Sequence, residues 1–161
     1  MKKDTKRDTK RDPKKTARNK ADKLFQEVGR KMYSRCAGAI YNPTTKQVEN
    51  CTNQMSCLHH HYRVSTATNL RYEIKNGIPL CKGCHFREHT VQDPDLRTAQ
   101  VLFMKERWGE DWEDELRRQR MVTKDIKSDL AWYKVQIEIL QELLNNSEVD
   151  AYLPPQDLWR T

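Results

Sequence analysis

The chain has 161 residues, 33% of them charged and 36% hydrophobic, and a mean hydropathy of −1.01. So little apolar material cannot bury a core along the whole length, so a small domain with appendages is expected. No apolar run approaches the roughly 20 residues that span a bilayer, and the basic start MKKDTKRDTK lacks the apolar stretch of a signal peptide. The expectation is a cytoplasmic protein with no membrane partner.

The formal net charge of +7 has a definite location. Residues 1–20 carry ten Lys/Arg against three Asp, and the remainder of the chain is balanced. This segment repeats a short unit, Asp4-Thr5-Lys6-Arg7 then Asp8-Thr9-Lys10-Arg11, and has no large apolar residue between Met1 and Ala17. Burial cannot offset its ordering entropy, so it reads as a disordered basic arm. Lys6, Arg7, Lys10, Arg11, Lys14 and Lys15 are its candidate phosphate contacts. A solubilising leader without a specific partner is the plainer alternative.

Next, Leu24, Phe25, Val28 and Met32 have helical spacing, which predicts an amphipathic helix over residues 21–35. Residues 36–58 are rich in Asn, Thr and Gln, with a turn at Asn42-Pro43, and read as irregular or hairpin-like. Asn76-Gly77 is a second turn signal, followed by the short apolar run Ile78-Pro79-Leu80-Cys81 and the start of a helix over Cys84 to His89. A helical extension is predicted over 93–121, opened by the cap pair Asp93-Pro94 and interrupted at Trp108-Gly109. Ile126, Leu130, Tyr133, Ile137, Leu140 and Leu144 alternate steps of four and three within a helix predicted over 122–147. That seam suits either a homodimeric coiled coil or packing on the chain's own domain. Residues 148–161 read as a tail.

Five cysteines beside histidines point to metal binding in a reducing compartment rather than to disulfides. Cys81-Lys-Gly-Cys84 is a C-x-x-C pair able to place two thiolates on one zinc ion. Two further ligands must come from Cys36, Cys51 and Cys57; Cys36 with Cys57 is the preferred pairing, with Cys51 as the alternative to Cys57. A redox C-x-x-C is disfavoured because no βαβ pattern surrounds it. All five histidines lie between His59 and His89. His85 and His89 are four apart and share a helix face, so both imidazoles can reach one cation. Two centres, one thiolate-rich and one imidazole-rich, fit this arrangement; one structural zinc with a Cys/His mixture is the simpler alternative.

The segment HHYRVSTATNLRYEIKNGIPLCKGCHFREH resembles the motif of the HNH, or ββα-metal, nucleases. The spacings carry the likeness: 15 residues from His61 to Asn76, 9 from Asn76 to His85, and 4 from His85 to His89. The wording around Arg71-Tyr72 and Asn76-Gly77 looks most like small phage proteins of the NinG recombination-endonuclease type. The resemblance covers about residues 36–120 and is strongest over 59–89. It departs from the family's pattern in the first cysteine knuckle, whose second cysteine is displaced.

What the resemblance implies is a small α+β fold with an HNH core and zinc knuckle over 36–92. It implies a DNA endonuclease acting in recombination or DNA processing. His61 would be the general base, and His60, His85 and His89 the ligands of one divalent cation (Mg, Mn, Ni or Zn). Asn76 would hold the loop and orient His61. On charge alone, Arg71 is a candidate to neutralise a neighbouring phosphate, with an exposed solvated arginine as the plainer alternative. The histidine run allows a second register, His59-His60, with 16 residues to Asn76; the 15-residue spacing favours His60-His61.

The chemistry agrees with these residue types. A neutral imidazole can take a proton from water near neutral pH, provided a hydrogen bond on its other nitrogen fixes the tautomer. Such a site reads the DNA backbone, branched or nicked, rather than bases. The competing function is a non-catalytic, zinc-stabilised nucleic-acid-binding module in which the histidines are structural.

Overall fold

The computed structural model describes residues 12–122 and 128–146. Within them the chain is a small α+β protein of five helices and two separate antiparallel strand pairs.

Helix α1 spans Pro13–Met32. Asp12 caps it by accepting from the Lys14 amide at 3.0 Å, and Pro13 occupies the first turn, where its missing N–H costs nothing. Ala21, Phe25, Val28 and Met32 form its buried stripe. The disordered arm expected over residues 1–20 is therefore corrected from Pro13 onward. The cap and proline start a helix that the packed stripe downstream then sustains, and Lys14 and Lys15 are exposed residues of its first turn. Lys6, Arg7, Lys10 and Arg11 lie outside the described residues.

Strands β1 (Ala39–Asn42) and β2 (Gln47–Asn50) form a hairpin in which Ala39 faces Asn50. The Asn42 side chain accepts from the Thr44 amide at 2.9 Å, closing the turn. Strands β3 (Cys57–His60) and β4 (Gly77–Leu80) form the second pair, with His60 opposite Gly77. Gly77 is needed for close approach: a Cβ there would lie 3.0 Å from both Leu58 and Phe25. Between these strands the chain makes two short 3-10 turns, Thr68–Leu70 and Ile74–Asn76. Helix α2 (Lys82–Thr90) follows β4 directly.

Helices α3 (Pro94–Trp108) and α4 (Trp112–Val122) fill the predicted extension. Asp93 caps α3, accepting from the Asp95 and Leu96 amides, and Gly109, at φ 99°, separates the two helices. Helix α5 runs Leu130–Asn145. Its seam residues Tyr133, Ile137 and Leu140 are buried against α1 together with Phe25 and Val28. Lys31 Nζ donates to the carbonyls of Leu144 and Asn146, tying the last turns of both helices. The seam is thus used within the chain, while Val135 and Ile139 stay exposed; Ile126 and residues 148–161 lie outside the described residues. No helix among the described residues is long and apolar enough to cross a membrane.

The core has two parts. One joins α1, α5, Leu58 and Tyr72; the other joins Cys36, Cys51, Cys81 and Cys84 to Leu80, Leu96, Trp112 and Leu116.

Candidate metal centres

Four buried cysteines, Cys36, Cys51, Cys81 and Cys84, bring their sulfurs within 4.8 Å of one another. Cys51 Sγ and Cys81 Sγ are 3.9 Å apart. Four thiolates about 2.3 Å from a zinc ion have edges of about 3.8 Å, so the cluster has the dimensions of a tetrahedral zinc site. Backbone amides support it: Gly38 N–H and Cys81 N–H donate to Cys36 Sγ at 3.3 and 3.2 Å, and Cys84 N–H donates to Cys81 Sγ at 3.4 Å. A Cβ on Gly38 would lie 2.5 Å from Cys84 Sγ, so only glycine leaves room for the cluster.

The fourth thiol of the cluster is Cys51 and not Cys57, the preferred candidate. The β1–β2 hairpin returns the chain to its starting point, and Cys51 N–H donates to the Gly38 carbonyl at 2.8 Å. Cys57 lies one strand further on, its Sγ 3.8 Å from the Leu80 carbonyl, and is not among the four. The turn at Asn42-Pro43 was the available signal, because a hairpin centred there pairs the segments after Cys36 and before Cys51.

Burial raises Cys81, but hydrogen bonds from the Cys84 amide and from the neighbouring thiols outweigh it and bring Cys81 down to about 7. Burial pushes Cys36 up to about 12, and Cys84 is raised by burial and by the neighbouring sulfurs. Four thiolates held this close together require a dication at their centre.

The second group is His59, His85 and His89, whose ring nitrogens also lie within 4.8 Å of one another. His85 Nε2 and His89 Nε2 are 3.1 Å apart, and the His59 ring lies 5.3 and 5.1 Å from theirs, centroid to centroid. Helix α2 supplies the pair by its i, i+4 geometry, and β3 supplies the third imidazole. This group is more open than the cysteines: it lines a cavity of about 450 Å³ together with His60, His61, Arg63, Glu88 and Arg97. Three imidazoles with an open side match the donor set of a catalytic rather than a closed structural site.

His59, not His60, completes this triad, which corrects the ligand assignment. Alternation along β3 sends Leu58 and His60 to the α1 side and His59 to the α2 side. The His60 ring stacks on Phe25 at 5.3 Å with an interplanar angle of 8°, and its Nε2 is 2.8 Å from the Arg71 carbonyl. A carbonyl only accepts, so Nε2 carries the proton and Nδ1 keeps its lone pair. His61 lies past the strand, packed on Trp112 and Tyr62, with Nε2 3.5 Å from Glu113. Among the described residues its imidazole has no carbonyl partner of the kind that His60 has.

Burial lowers His59 to about 4 and also lowers His60, His61 and His85, so these imidazoles are neutral near pH 7 and able to bind a metal or accept a proton.

Asn76 is fully buried and joins the strand pair to the intervening loop. Its Oδ1 accepts from the Tyr62 amide at 2.8 Å, and its Nδ2 donates to the Tyr62 and Leu70 carbonyls at 3.2 and 3.0 Å. Its own carbonyl accepts from His61 N–H at 2.9 Å. The expected role of holding the loop is the one its bonds perform. It has no bond to the His61 ring. Arg71 is already committed: its guanidinium makes a two-point bond to Asp22, so its expected phosphate contact is replaced by an internal one.

Glu88 and Arg97 were missed by sequence reasoning. Burial raises the Glu88 carboxyl, but donation from Gln100 at 3.0 Å and Arg97 at 3.3 Å outweighs it and holds it below the usual range. Glu88 lies between the two α2 histidines, where its negative charge favours a nearby cation. Arg97 reaches the cavity from α3, a contact with no signature in the local sequence.

No protein-family model matches the chain, and neither the curated proteins nor the solved structures yield a significant match.

Proposed function

We propose that this protein is a metal-dependent DNA endonuclease of the HNH class, built on β3, β4 and α2 as a ββα-metal core. The observation that carries the reading is the convergence of His59, His85 and His89 on one point beside His60, whose Nε2 is engaged by a backbone carbonyl. His60 also borders the cavity that the three imidazoles face.

His60 accepts a proton at Nδ1 from the water that attacks phosphorus. Its ring cannot turn freely, because Phe25 covers one face and the Arg71 carbonyl holds the other nitrogen. Asn76 keeps the loop carrying that carbonyl closed on the strands. Arg63 and Arg97 on the cavity wall provide positive charge for the phosphate, and Lys14 and Lys15 provide more on exposed α1. When bound, a divalent cation (Mg, Mn, Ni or Zn) on the three imidazoles supplies neutralisation of a phosphate oxygen and of the departing 3′ oxygen. The cysteine cluster serves as the structural zinc site. The assignment to recombination or DNA processing, on branched or nicked DNA, follows from the sequence resemblance.

The test is nicking of supercoiled plasmid with each of the four metals. His60→Ala is expected to lower the rate by roughly 10²–10⁴-fold, the usual contribution of a general base, with DNA binding retained. Undiminished cleavage by that variant removes the base assignment. An absence of nicking with any of the metals favours the zinc-stabilised binding module instead.

A further inference from the structure

We infer that Asp22 is a positioning residue for His60: through Arg71 it holds the backbone carbonyl that keeps the His60 proton on Nε2. The inference rests on reading His60 as the general base.

The link is a short chain of bonds. Asp22 Oδ1 accepts from Arg71 Nε at 3.1 Å and from Arg71 Nη2 at 2.9 Å, and Asp22 Oδ2 accepts from the same Nη2 at 3.0 Å. Tyr72 Oη donates to Asp22 Oδ1 at 2.7 Å. The Arg71 carbonyl accepts from His60 Nε2 at 2.8 Å. Three residues after Asp22, on the same helix, Phe25 stacks on the His60 ring. Helix α1 therefore fixes one imidazole twice, directly by stacking and indirectly through the carbonyl.

This ion pair does more than an ordinary surface pair, which contributes roughly 0–1 kcal/mol. Arg71 and Tyr72 sit between two short 3-10 turns, where few regular backbone bonds hold the chain. The guanidinium and the phenol, on consecutive residues, both end on one carboxylate. The peptide carbonyl of Arg71 is thereby oriented at the point where it meets the imidazole. A neutral imidazole otherwise interconverts between two tautomers. In the other tautomer Nδ1 carries the proton and cannot accept one from water.

The experiment uses the full-length, metal-loaded protein and two conservative variants, Asp22→Asn and Arg71→Met. The second keeps an unbranched side chain but removes the guanidinium, which also lies over the Tyr72 ring at 5.5 Å. Two measurements are made on each: the 15N and 1H imidazole signals of His60, which report the tautomer, and plasmid cleavage resolved into kcat and KM. The wild type is expected to show His60 as a single Nε2–H form. The variants are expected to show mixed tautomers and a kcat lower by roughly 10-fold, the lower end for a lost outer-shell partner, with KM unchanged. Folded variants whose His60 tautomer matches the wild type overturn the inference, including variants whose only change is a lower melting temperature. If the wild type cleaves no DNA, the nuclease reading fails, and the imidazole spectra still decide this one. If Asp22→Asn does not fold, Arg71→Met carries both readouts.

Discussion

The cysteine and histidine centres both draw ligand candidates from α2, where Cys84 and His85 are neighbours, yet the two differ in burial, donor number and access. The four sulfurs are buried, receive backbone N–H bonds, and leave no open side. The three imidazoles are partly exposed, have three donors, and face a cavity lined with charged groups. One helix carries ligands for both: Cys84 in its first turn belongs to the closed centre, and His85 and His89 to the open one.

The comparison is broken most severely at the closed centre. Structural zinc contributes on the order of 10 kcal/mol or more to folding, so Cys51→Ser is expected to lose one equivalent of zinc and to unfold the lobe it anchors. Cys57→Ser should leave zinc content unchanged. Metal analysis with thermal melts checks both, and equal effects from the two variants would contradict the ligand set.

At the open centre the expected loss is in rate and not in fold. His85→Ala should abolish metal-dependent cleavage while the melting temperature of the zinc-loaded protein shifts by roughly 0–1 kcal/mol equivalent, as at other partly exposed sites. The pair His60→Ala and His61→Ala sharpens the register. The first should cost about 10²–10⁴-fold in kcat and the second clearly less; the reverse order would restore His61 as the base.

Asn76→Ala falls between the two centres. It leaves several buried backbone groups without partners, which should cost about 2–4 kcal/mol. Denaturant titration measures that loss, and a change under half of it would show that the loop does not depend on this side chain.

The pH dependence of stability gives a further test. His59 is held near about 4 in the folded chain by burial, against about 6.5 when unfolded. The unfolded chain therefore binds a proton first as pH falls. The stability of the metal-free protein is intact above about pH 6.5 and declines toward about pH 4. Across that window the wild type should lose stability relative to His59→Gln as pH falls, and a difference that stays constant with pH would argue against the shift.

Much of this architecture can be read along the chain. Asp93-Pro94 marks the start of α3, Trp108-Gly109 its end, and the four-residue step from His85 to His89 puts two imidazoles on one helix face. Cys81-Lys-Gly-Cys84 is legible as half of a zinc site for the same reason: local spacing determines local geometry. The other half was harder. Choosing Cys51 over Cys57 required knowing that the 39–50 segment folds back with Ala39 opposite Asn50, a pairing that neither strand's composition enforces. The choice among His59, His60 and His61 turned on strand register. A one-residue shift exchanges the two faces of β3, and only the packing of Leu58 and Phe25 settles which face is inward.

The chain's own order of residues decides which groups are available and how neighbours on one helix or turn line up, because those relations depend on bond geometry over a few residues. The meeting of β3 with α2, the reach of Arg97 and Glu88 into the cavity, the Asp22–Arg71–His60 connection, and the use of the α5 seam against α1 belong to the folded state alone. They join residues separated by up to a hundred positions or more, and such contacts form only when burial of the two core regions brings distant segments together.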